Sequence, residues 1–214
     1  VTPSATSTYY ARREGGCNTT ADGTYTITVN NPTLTTAPAN GDMVWRGASN
    51  TDWATLPNWW QYNGTAYGAA TAAPTAAQNV IIPANQTCVV NQPNTNANAG
   101  SAKTLRIESG ANLTMGNGTL TVAENWVNNG TFTPGTGTVE FTGSGTHTVS
   151  GISGAHNFHN LTLNKDGEVQ LSVPIAMSGA LTLSIGRLDI GNSNLDLPTN
   201  TINGGNANSY VKTS

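Results

Sequence analysis

Charged side chains are scarce in this sequence, and their scarcity excludes several classes of protein. Lysine and arginine number 8, aspartate and glutamate number 11, and 9% of the 214 residues are charged. An ordinary globular domain carries about 25%. Eight scattered cations cannot build the basic patch that tracks a phosphate backbone, which excludes a nucleic-acid-binding protein. No apolar run approaches the roughly 18 residues of a membrane span, so we expect no membrane span.

Threonine, asparagine and glycine take the place of the missing charges, with 34, 27 and 24 copies. These residue types oppose long amphipathic helices, because they favour caps, turns and extended backbone. The chain is long enough to bury one sizeable core. The composition therefore predicts an all-β protein of extracellular character.

Only two cysteines are present, Cys17 and Cys88. They are compatible with one disulfide in an oxidising compartment or with two small buried thiols. The chain begins at Val1 and lacks a charged-then-apolar leader, so we expect a processed chain or a piece of a longer one.

Residues 1–36 predict an N-terminal β-hairpin, with alternating stretches at 8–13 and 24–29 around a Gly-rich turn. Two strands alone are marginally stable in water, so the hairpin needs a pairing partner. The segment resembles the last two strands of the immunoglobulin-like domains in large bacterial surface proteins.

Residues 37–78 concentrate four of the five tryptophans, Trp45, Trp53, Trp59 and Trp60. One interpretation is an aromatic platform that stacks on sugar rings. The other is a hydrophobic plug that closes the end of an elongated β structure, and we favour it because buried aromatic side chains contribute large burial energies.

From residue 79 to 214, short pairs of apolar residues recur with one residue between them. Each pair has the period of a strand with one buried face, and such short strands must stack to bury it. A parallel β-solenoid and an antiparallel sandwich both fit this spacing. Near-copies such as Thr119-Leu-Thr-Val, Asn160-Leu-Thr-Leu and Ala180-Leu-Thr-Leu recur in one orientation. They favour a right-handed parallel β-helix.

Several motifs also resemble a known type of module. They are Trp45-Arg-Gly, Asp52-Trp53, Asn58-Trp59, Gln78-Asn-Val-Ile-Ile-Pro83, the stretch 124–141 and Phe158-His-Asn-Leu-Thr-Leu163. This set is similar to the β-helical repeat modules of very large secreted surface proteins of Bacteroidetes-type bacteria, exported by the type IX route. His159 departs from the pattern, because these modules more usually have asparagine at this position. The resemblance implies an adhesin-like protein at the bacterial cell surface.

Catalytic and metal-binding patterns are weak. Glu108, Glu124 and Glu140 recur at equal intervals, which would stack them if each coil had the length of that interval, although coincidence among solvated turn residues is the favoured interpretation. His156 and His159 lack a nearby cysteine or carboxylate that would complete a metal site. We therefore expect no enzyme, no metal and no cofactor.

The leading hypothesis is a non-catalytic structural or adhesive module of the cell surface, a stiff spacer or a subunit of a homomeric extracellular fibre. Its expected partners are further copies of itself or neighbouring domains of a larger surface protein, because edge strands can pair with another chain. The alternative is a carbohydrate-binding or polysaccharide-acting module that uses Trp45, Trp53, Trp59 and Trp60 to bind glycans.

Overall fold

The computed structural model describes residues 7–11, 23–27, 32–90, 99–152, 154, 156–197 and 201–213. It is an all-β structure, a solenoid of about 6 turns, with one 3-10 helix at Leu56–Asn58. The strands, in chain order, are β1 (Ser7–Ala11), β2 (Gly23–Ile27), β3 (Met43–Trp45), β4 (Trp59–Tyr62), β5 (Tyr67–Ala69), β6 (Val80–Ile82), β7 (Thr87–Val90), β8 (Ala99–Ala102), β9 (Leu105–Ile107), β10 (Asn112–Met115), β11 (Thr119–Val122), β12 (Trp126–Asn128), β13 (Thr131–Thr133), β14 (Thr138–Phe141), β15 (Ser144–Gly151), β16 (Asn157–Phe158), β17 (Asn160–Leu171), β18 (Ile175–Met177), β19 (Leu181–Gly191), β20 (Leu195–Asp196), β21 (Ile202–Gly204) and β22 (Val211–Thr213).

Parallel pairing arranges the strands from β6 onward into three faces, which we call A, B and C. Face A contains two three-stranded sheets, one of β7, β10 and β13 and one of β16, β18 and β20. Face B contains β8, β11, β14, the first halves of β17 and β19, and β21. Face C contains β6, β9, β12, β15, the second halves of β17 and β19, and β22. The predicted β-solenoid is thereby confirmed.

Successive coils differ in length although their strands stay in register. Leu120 pairs with Val139 and Val139 pairs with Leu161, so the second of these coils is longer than the first. On face C, Val80 pairs with Leu105, and this coil is longer than either of them. The connections at the corners therefore absorb the variation, and the strands carry the constant geometry.

These coil lengths exclude the stacked ladder considered for Glu108, Glu124 and Glu140. Such a ladder needs coils as short as the interval between the glutamates, and the coils just described are longer than that interval. Glu140 instead stands in register with Thr121 and Thr162 on face B. The equal spacing of the three glutamates is a coincidence of sequence.

Alternate residues of the strands point into a continuous apolar core, as the period-two pattern predicts. The predicted pairs that are buried are Val80/Ile82, Leu105/Ile107, Leu113/Met115, Leu120/Val122, Val139/Phe141, Leu161/Leu163, Val169/Leu171 and Leu181/Leu183. Each side chain contributes roughly 1.5–3 kcal/mol when fully buried. Stacking of like side chains from coil to coil is therefore what stabilises the fold.

Glycines let β17 and β19 bend around a corner, which makes them longer than the short strands expected from the sequence. Gly167 has φ of 140°, and a Cβ there would lie 2.2 Å from the Gly145 carbonyl oxygen. Gly186 has φ of 89°, and its Cβ would lie 2.3 Å from the Lys165 carbonyl oxygen. Only glycine tolerates this combination of backbone angle and close approach.

The N-terminal end of the solenoid is covered by antiparallel strands. β3 adds to face C in parallel with β6, and β4 and β5 continue the sheet in antiparallel fashion. On face A, Asp52 forms a parallel bridge with Val89 of β7. The segment predicted as a Trp-rich cap thus pairs with the first strand of two of the three faces, face C and face A.

The C-terminal coil has no such cover within the described residues. Its inward positions are occupied by Leu195, Leu197, Ile202 and Val211, which are only partly buried or exposed. Ile202 is 50% exposed, whereas its register partner Leu181 in the coil before is fully buried. The apolar core therefore reaches solvent at this end.

The two N-terminal strands β1 and β2 pair antiparallel, as a hairpin requires, with Tyr9 opposite Tyr25. They form a two-stranded sheet of their own. The immunoglobulin-like character of this segment stays a prediction, as do the domain boundaries at 1–36, 37–78 and 79–214.

Candidate functional site

Three of the four tryptophans considered for sugar stacking belong to the core of the cap. Trp45 and Trp59 are 0% exposed and Trp53 is 2% exposed. Both Trp45 and Trp53 contact Trp59 edge to face, with ring centroids 5.0 and 4.8 Å apart. A ring enclosed in this way offers no face to a sugar, so stacking stays a prediction only for Trp60.

Buried hydrogen bonds fix the orientation of these rings. Trp59 Nε1 donates to the Trp53 carbonyl oxygen at 2.7 Å, and Trp45 Nε1 donates to the Thr87 carbonyl oxygen at 3.1 Å. An indole N–H that is removed from water needs such a partner. The packing of the tryptophan cluster is therefore determined by directional hydrogen bonds as well as by apolar burial.

Asn58 holds the loop in front of this cluster. Its side chain is fully buried, and its Oδ1 accepts from the backbone N–H groups of Ser49 and Asn50 at 2.8 and 3.2 Å. Its Nδ2 donates to Asn50 Oδ1 at 2.7 Å and to the Asp52 carbonyl oxygen at 3.0 Å. One amide thus organises the loop that carries Trp53.

Trp60 lies on the opposite face of β4, in a stack of side chains on the outside of face C. The Arg46 guanidinium lies 4.5 Å from the Trp60 ring centroid. Tyr67 stacks on Trp60 at 5.5 Å, and Tyr62 contacts Tyr67 at 5.1 Å. Trp60 is therefore covered by Arg46 and Tyr67, and Tyr62 ends the stack.

A row of polar side chains continues from these tyrosines across the outer surface of face C. Met43, Val80, Leu105 and Trp126 are paired in register and point into the core. Because side chains alternate along a strand, the residue just before each of them points outward. These outward residues form a row at the starts of β3, β6, β9 and β12. That row consists of Asp42, Asn79, Thr104 and Asn125.

A groove of about 240 Å³ lies along the first three positions of this row, Asp42, Asn79 and Thr104. Asn125 lies beyond it, where its Oδ1 accepts a hydrogen bond from Thr148 N at 2.9 Å. Asp42 and Asn79 line one end, where Asn79 Nδ2 donates to Asp42 Oδ1 at 2.9 Å. Lys103 and Glu124 also line it, with Lys103 Nζ 3.4 Å from Glu124 Oε1. This pairing leaves the groove polar and close to electrically neutral.

The segment around residues 33–39 lies across the same face and borders the groove. Its contacts are a hydrogen bond from Ala84 N to the Thr33 carbonyl oxygen and one from Ala39 N to Asp42 Oδ2, at 3.4 and 2.8 Å. Arg106, which also lines the groove, donates from Nη2 to the Thr36 carbonyl oxygen at 2.8 Å.

A buried carboxylate anchors that segment. Glu108 is 0% exposed, and Thr35 Oγ1 donates to its Oε2 at 2.5 Å. Arg106 Nε lies 2.8 Å from Glu108 Oε1, in an orientation that makes an ion pair without an aligned hydrogen bond. A buried carboxylate needs this compensation, so Glu108 and Arg106 together fix the border of the groove.

The tyrosine beside the groove responds to this environment. Burial raises the pKa of Tyr67, and the Tyr62 and Asp42 charges act in the same direction while Arg106 opposes them. The Tyr67 phenol is therefore neutral at physiological pH. A neutral phenol can both donate and accept a hydrogen bond.

The two alternatives for Cys17 and Cys88, a disulfide or two buried thiols, both stay open, because Cys17 lies outside the described residues. Cys88 is fully buried in β7, in register with Leu113. Burial raises its pKa well above the usual range, with Asp52 adding to the effect. As placed, the Cys88 thiol packs as a small apolar group.

The histidines do not assemble into a metal site. Among the described residues, no group of three or more His, Cys, Asp and Glu side chains is placed to hold an ion. Burial lowers the pKa of His156, and the backbone of Ile152 partly offsets this. His159 Nδ1 contacts Ser178 Oγ at 3.0 Å, and His147 Nε2 contacts the Ser144 carbonyl oxygen at 2.7 Å.

Comparison with known families agrees with this architecture. A model of the G8 domain matches residues 60–183, which is more than half of the chain. The chain belongs to the G8 domain family. G8 domains typically occur in extracellular proteins, and the match runs from the second strand of the cap through the first half of β19.

Other comparisons add no relatives of this G8 domain: neither the curated proteins nor the solved structures gave a match. The solenoid part of the predicted resemblance is confirmed by the fold. An origin in Bacteroidetes-type bacteria, the type IX route and an immunoglobulin-like neighbour stay predictions. In the part of the chain that the structure describes, no helix has both the length and the apolar character needed to cross a membrane.

Reasoning from the sequence missed the groove. Its polar row is contributed by four strands of different coils, and the intervals from Asp42 to Asn79 to Thr104 to Asn125 are all unequal. Unequal spacing hides the row from any search for a fixed period. The signal that could have found it is the residue just before each apolar-x-apolar pair.

Proposed function

We propose that this G8 domain is a non-catalytic structural and adhesive module of an extracellular surface, where it acts as a stiff spacer. The observation that supports the proposal most directly is one hydrogen-bonded network that runs from β5 in the cap to β22 in the last coil. Bending such a stack requires the simultaneous stretching of ladder bonds on at least one face. A chain built in this way holds its two ends at a fixed separation.

The use of carboxylates supports a non-catalytic role. Glu124 is paired with Lys103 and Glu108 with Arg106, and Glu168 lies 3.4 Å from Arg187 and 3.6 Å from Lys212. Acid–base catalysis on polysaccharides needs two carboxyl groups that face one bond. Here Glu108, Glu124 and Glu168 each form an ion pair with a lysine or arginine side chain.

Self-association through the last coil is the more specific form of the proposal. Among the described residues, β20, β21 and β22 are the last strands of their sheets, and Ile202 and Tyr210 are 50% and 40% exposed there. Edge strands with free backbone groups and adjacent apolar side chains are templates for pairing with another chain. This supports assembly of copies into a fibre at an extracellular surface.

Negative-stain electron microscopy of the purified chain, at several concentrations, tests the fibre. We expect filaments with one subunit repeat, which Ile202→Lys shortens or abolishes because it places a charge at the apolar edge. Ile152→Lys is the matched control, since Ile152 is 51% exposed and lies at a corner away from the last coil. Dispersed short rods at all concentrations would overturn the fibre and leave the spacer.

Carbohydrate binding is a second candidate function, favoured by the polar groove beside Tyr62 and Tyr67. Mixed hydrogen-bonding groups next to aromatic side chains provide both orientation and contact area for a ligand. This function is compatible with a spacer, because the groove lies on the side of the solenoid and leaves its ends free.

A further inference from the structure

We propose that the groove on face C binds a neutral linear oligosaccharide, which lies across strands β3, β6, β9 and β12. This inference deepens the adhesive part of the proposed function by naming its site and ligand class, and it does not depend on fibre formation. The spacer and the fibre are tested by microscopy, whereas the groove is tested by binding, so the two can fail separately.

The direction of the ligand follows from the register of the strands. Four polar residues stand side by side at the starts of β3, β6, β9 and β12, namely Asp42, Asn79, Thr104 and Asn125. The backbone N–H group of the residue after each of the first three donates to the carbonyl oxygen of the next residue in the row. Neighbouring strands lie about 4.8 Å apart, so the part of the row that lines the groove, from Asp42 to Thr104, is roughly 10 Å long. A polar row of this length can contact consecutive units of an extended polymer.

The chemistry of the lining points to hydroxyl groups as the ligand's main features. Asn79 and Thr104 supply uncharged donors and acceptors in the middle of the groove. Thr104 Oγ1 lies 3.5 Å from Glu124 Oε2, a long contact that a ligand hydroxyl can replace. Sugars present closely spaced hydroxyl groups that donate and accept at once, which matches such a lining.

The balance of charge favours a neutral ligand over an ionic one. Lys103 is compensated by Glu124, and Arg106 is compensated by Glu108. Asp42 accepts hydrogen bonds from Ala39 N and Asn79 Nδ2. The cations of the lining are thus matched by carboxylates, so the groove offers no excess positive charge to attract a sulfated or uronate-rich chain.

An aromatic side chain stands at the end of the row. Tyr62 N donates to the Asp42 carbonyl oxygen at 2.9 Å, which places Tyr62 beside Asp42 on the next strand. Trp60 is covered by Arg46 and Tyr67, so Tyr62 is the member of the stack that ends it. An aromatic ring at the end of a polar row provides apolar contact for the C–H face of a sugar ring.

The groove is also preorganised. Glu108 and Arg106 fix the segment that borders it, and Asp42 is held by two hydrogen bonds. Side chains that are ordered before binding lose little entropy when a ligand arrives, which raises affinity. The site is therefore formed in the absence of ligand.

Isothermal titration calorimetry with defined hexasaccharides tests the proposal. The probes are cellohexaose, laminarihexaose, mannohexaose, xylohexaose and chitohexaose, with hexagalacturonate as the anionic comparison. We expect saturable binding of at least one neutral probe and a lower affinity for hexagalacturonate. Absence of binding of every neutral probe at millimolar concentration, or tighter binding of hexagalacturonate, would overturn the assignment.

Variants then locate the site. Tyr62→Ala and Thr104→Val should each weaken binding of the neutral probe at least fivefold, because they remove the terminal ring and a central hydroxyl. The matched control is Thr162→Val, which makes the threonine change on face B and should alter affinity less than twofold. An effect of Thr162→Val equal to that of Thr104→Val would place the ligand elsewhere.

A paired variant separates neutral from ionic recognition. Lys103→Gln combined with Glu124→Gln removes both charges and keeps hydrogen-bonding groups of similar size. We expect the affinity for the neutral probe to fall less than tenfold, because the two introduced amides keep hydrogen-bonding groups at these lining positions. A loss of more than tenfold, with an unchanged circular dichroism spectrum and melting temperature, would show that recognition depends on charge and would contradict the neutral ligand class.

Discussion

The two ends of the solenoid meet solvent in different ways. At the N-terminal end, antiparallel strands and the cluster of Trp45, Trp53 and Trp59 close the core. At the C-terminal end, the inward-pointing Ile202 and Val211 belong to the last described coil and remain partly or largely exposed. The stacked coils are parallel at both ends, so the difference comes from the antiparallel segment that is added at the N-terminal end.

This comparison separates two ways of managing the end of a sheet. A cap removes the unpaired backbone groups and the exposed core together, at the cost of a dedicated segment. An open end keeps both available for contact. Matched substitutions at the two ends therefore distinguish a closed end from an open one through their free energies of unfolding in urea.

Trp59→Ala should produce the largest effect. Trp59 contacts two other tryptophans and donates a buried hydrogen bond, so its truncation should lower the free energy of unfolding by about 3–5 kcal/mol. Trp60→Ala is the control on the same strand, with an expected loss of less than half that value. Similar losses for both variants would contradict a closed tryptophan core.

Asn58→Ala should rank second. The substitution leaves the Ser49 and Asn50 backbone N–H groups without their acceptor, at a cost of about 1–3 kcal/mol. Asn208→Ala at the exposed C-terminal turn is the control and should stay within about 0.5 kcal/mol. If both variants unfold at the wild-type urea concentration, the amide does not organise the cap loop.

Val80→Ala and Val211→Ala make the same change in the first and last coils of face C. Val80 is fully buried, whereas Val211 is only partly buried. We expect a loss of roughly 2 kcal/mol for Val80→Ala and less than about 1 kcal/mol for Val211→Ala. An equal loss would mean that the last coil is covered in solution.

Acidification should have the smallest effect of these changes, a local loss of stability in the last coil. The hydrogen bond from Lys212 holds the pKa of Asp189 below its usual value, and the bond to Asp189 raises the pKa of Lys212. A depressed pKa stabilises the fold above the unfolded value of about 3.9, and this contribution is lost as pH falls through the folded value. The raised pKa of Lys212 contributes at every pH below about 10.4 and is lost in strong alkali.

Amide hydrogen exchange of β22 checks this expectation between pH 5 and pH 2, after correction for intrinsic exchange rates. Protection should fall in β22 before it falls in β6. In Lys212→Met the low-pH loss should become smaller, because the hydrogen bond from Gly191 N then remains as the hydrogen bond that lowers the pKa of Asp189. Uniform loss of protection along the solenoid would contradict a local effect.

Much of the fold could be predicted because it depends on short-range patterns. Pairs such as Leu120/Val122 and Leu161/Leu163 encode a buried strand face within a few positions, and their repetition in one orientation predicts stacking. The antiparallel arrangement of β3, β4 and β5 leaves no comparable trace. The sequence favours a buried plug, but it does not distinguish Trp45 and Trp59 from Trp60. Their burial depends on which face of each strand meets the core.

The groove could not be predicted for a related reason. Asp42, Asn79 and Thr104 become neighbours only when the register of three strands is known. The irregular coil lengths prevent that register from being read off a period. Glu108 illustrates the same point, because its hydrogen bond from Thr35 joins two positions that are far apart in the sequence.

The unequal coils also bear on how such a chain changes over evolutionary time. The coil that begins at Val80 is longer than the one that begins at Leu120, yet the strands on either side stay paired in register. Insertions and deletions at the corners are therefore absorbed locally, while each strand still finds the same neighbour. A lineage can thus lengthen, shorten or replace corner peptides to acquire new contacts, and the scaffold that presents them is inherited unchanged.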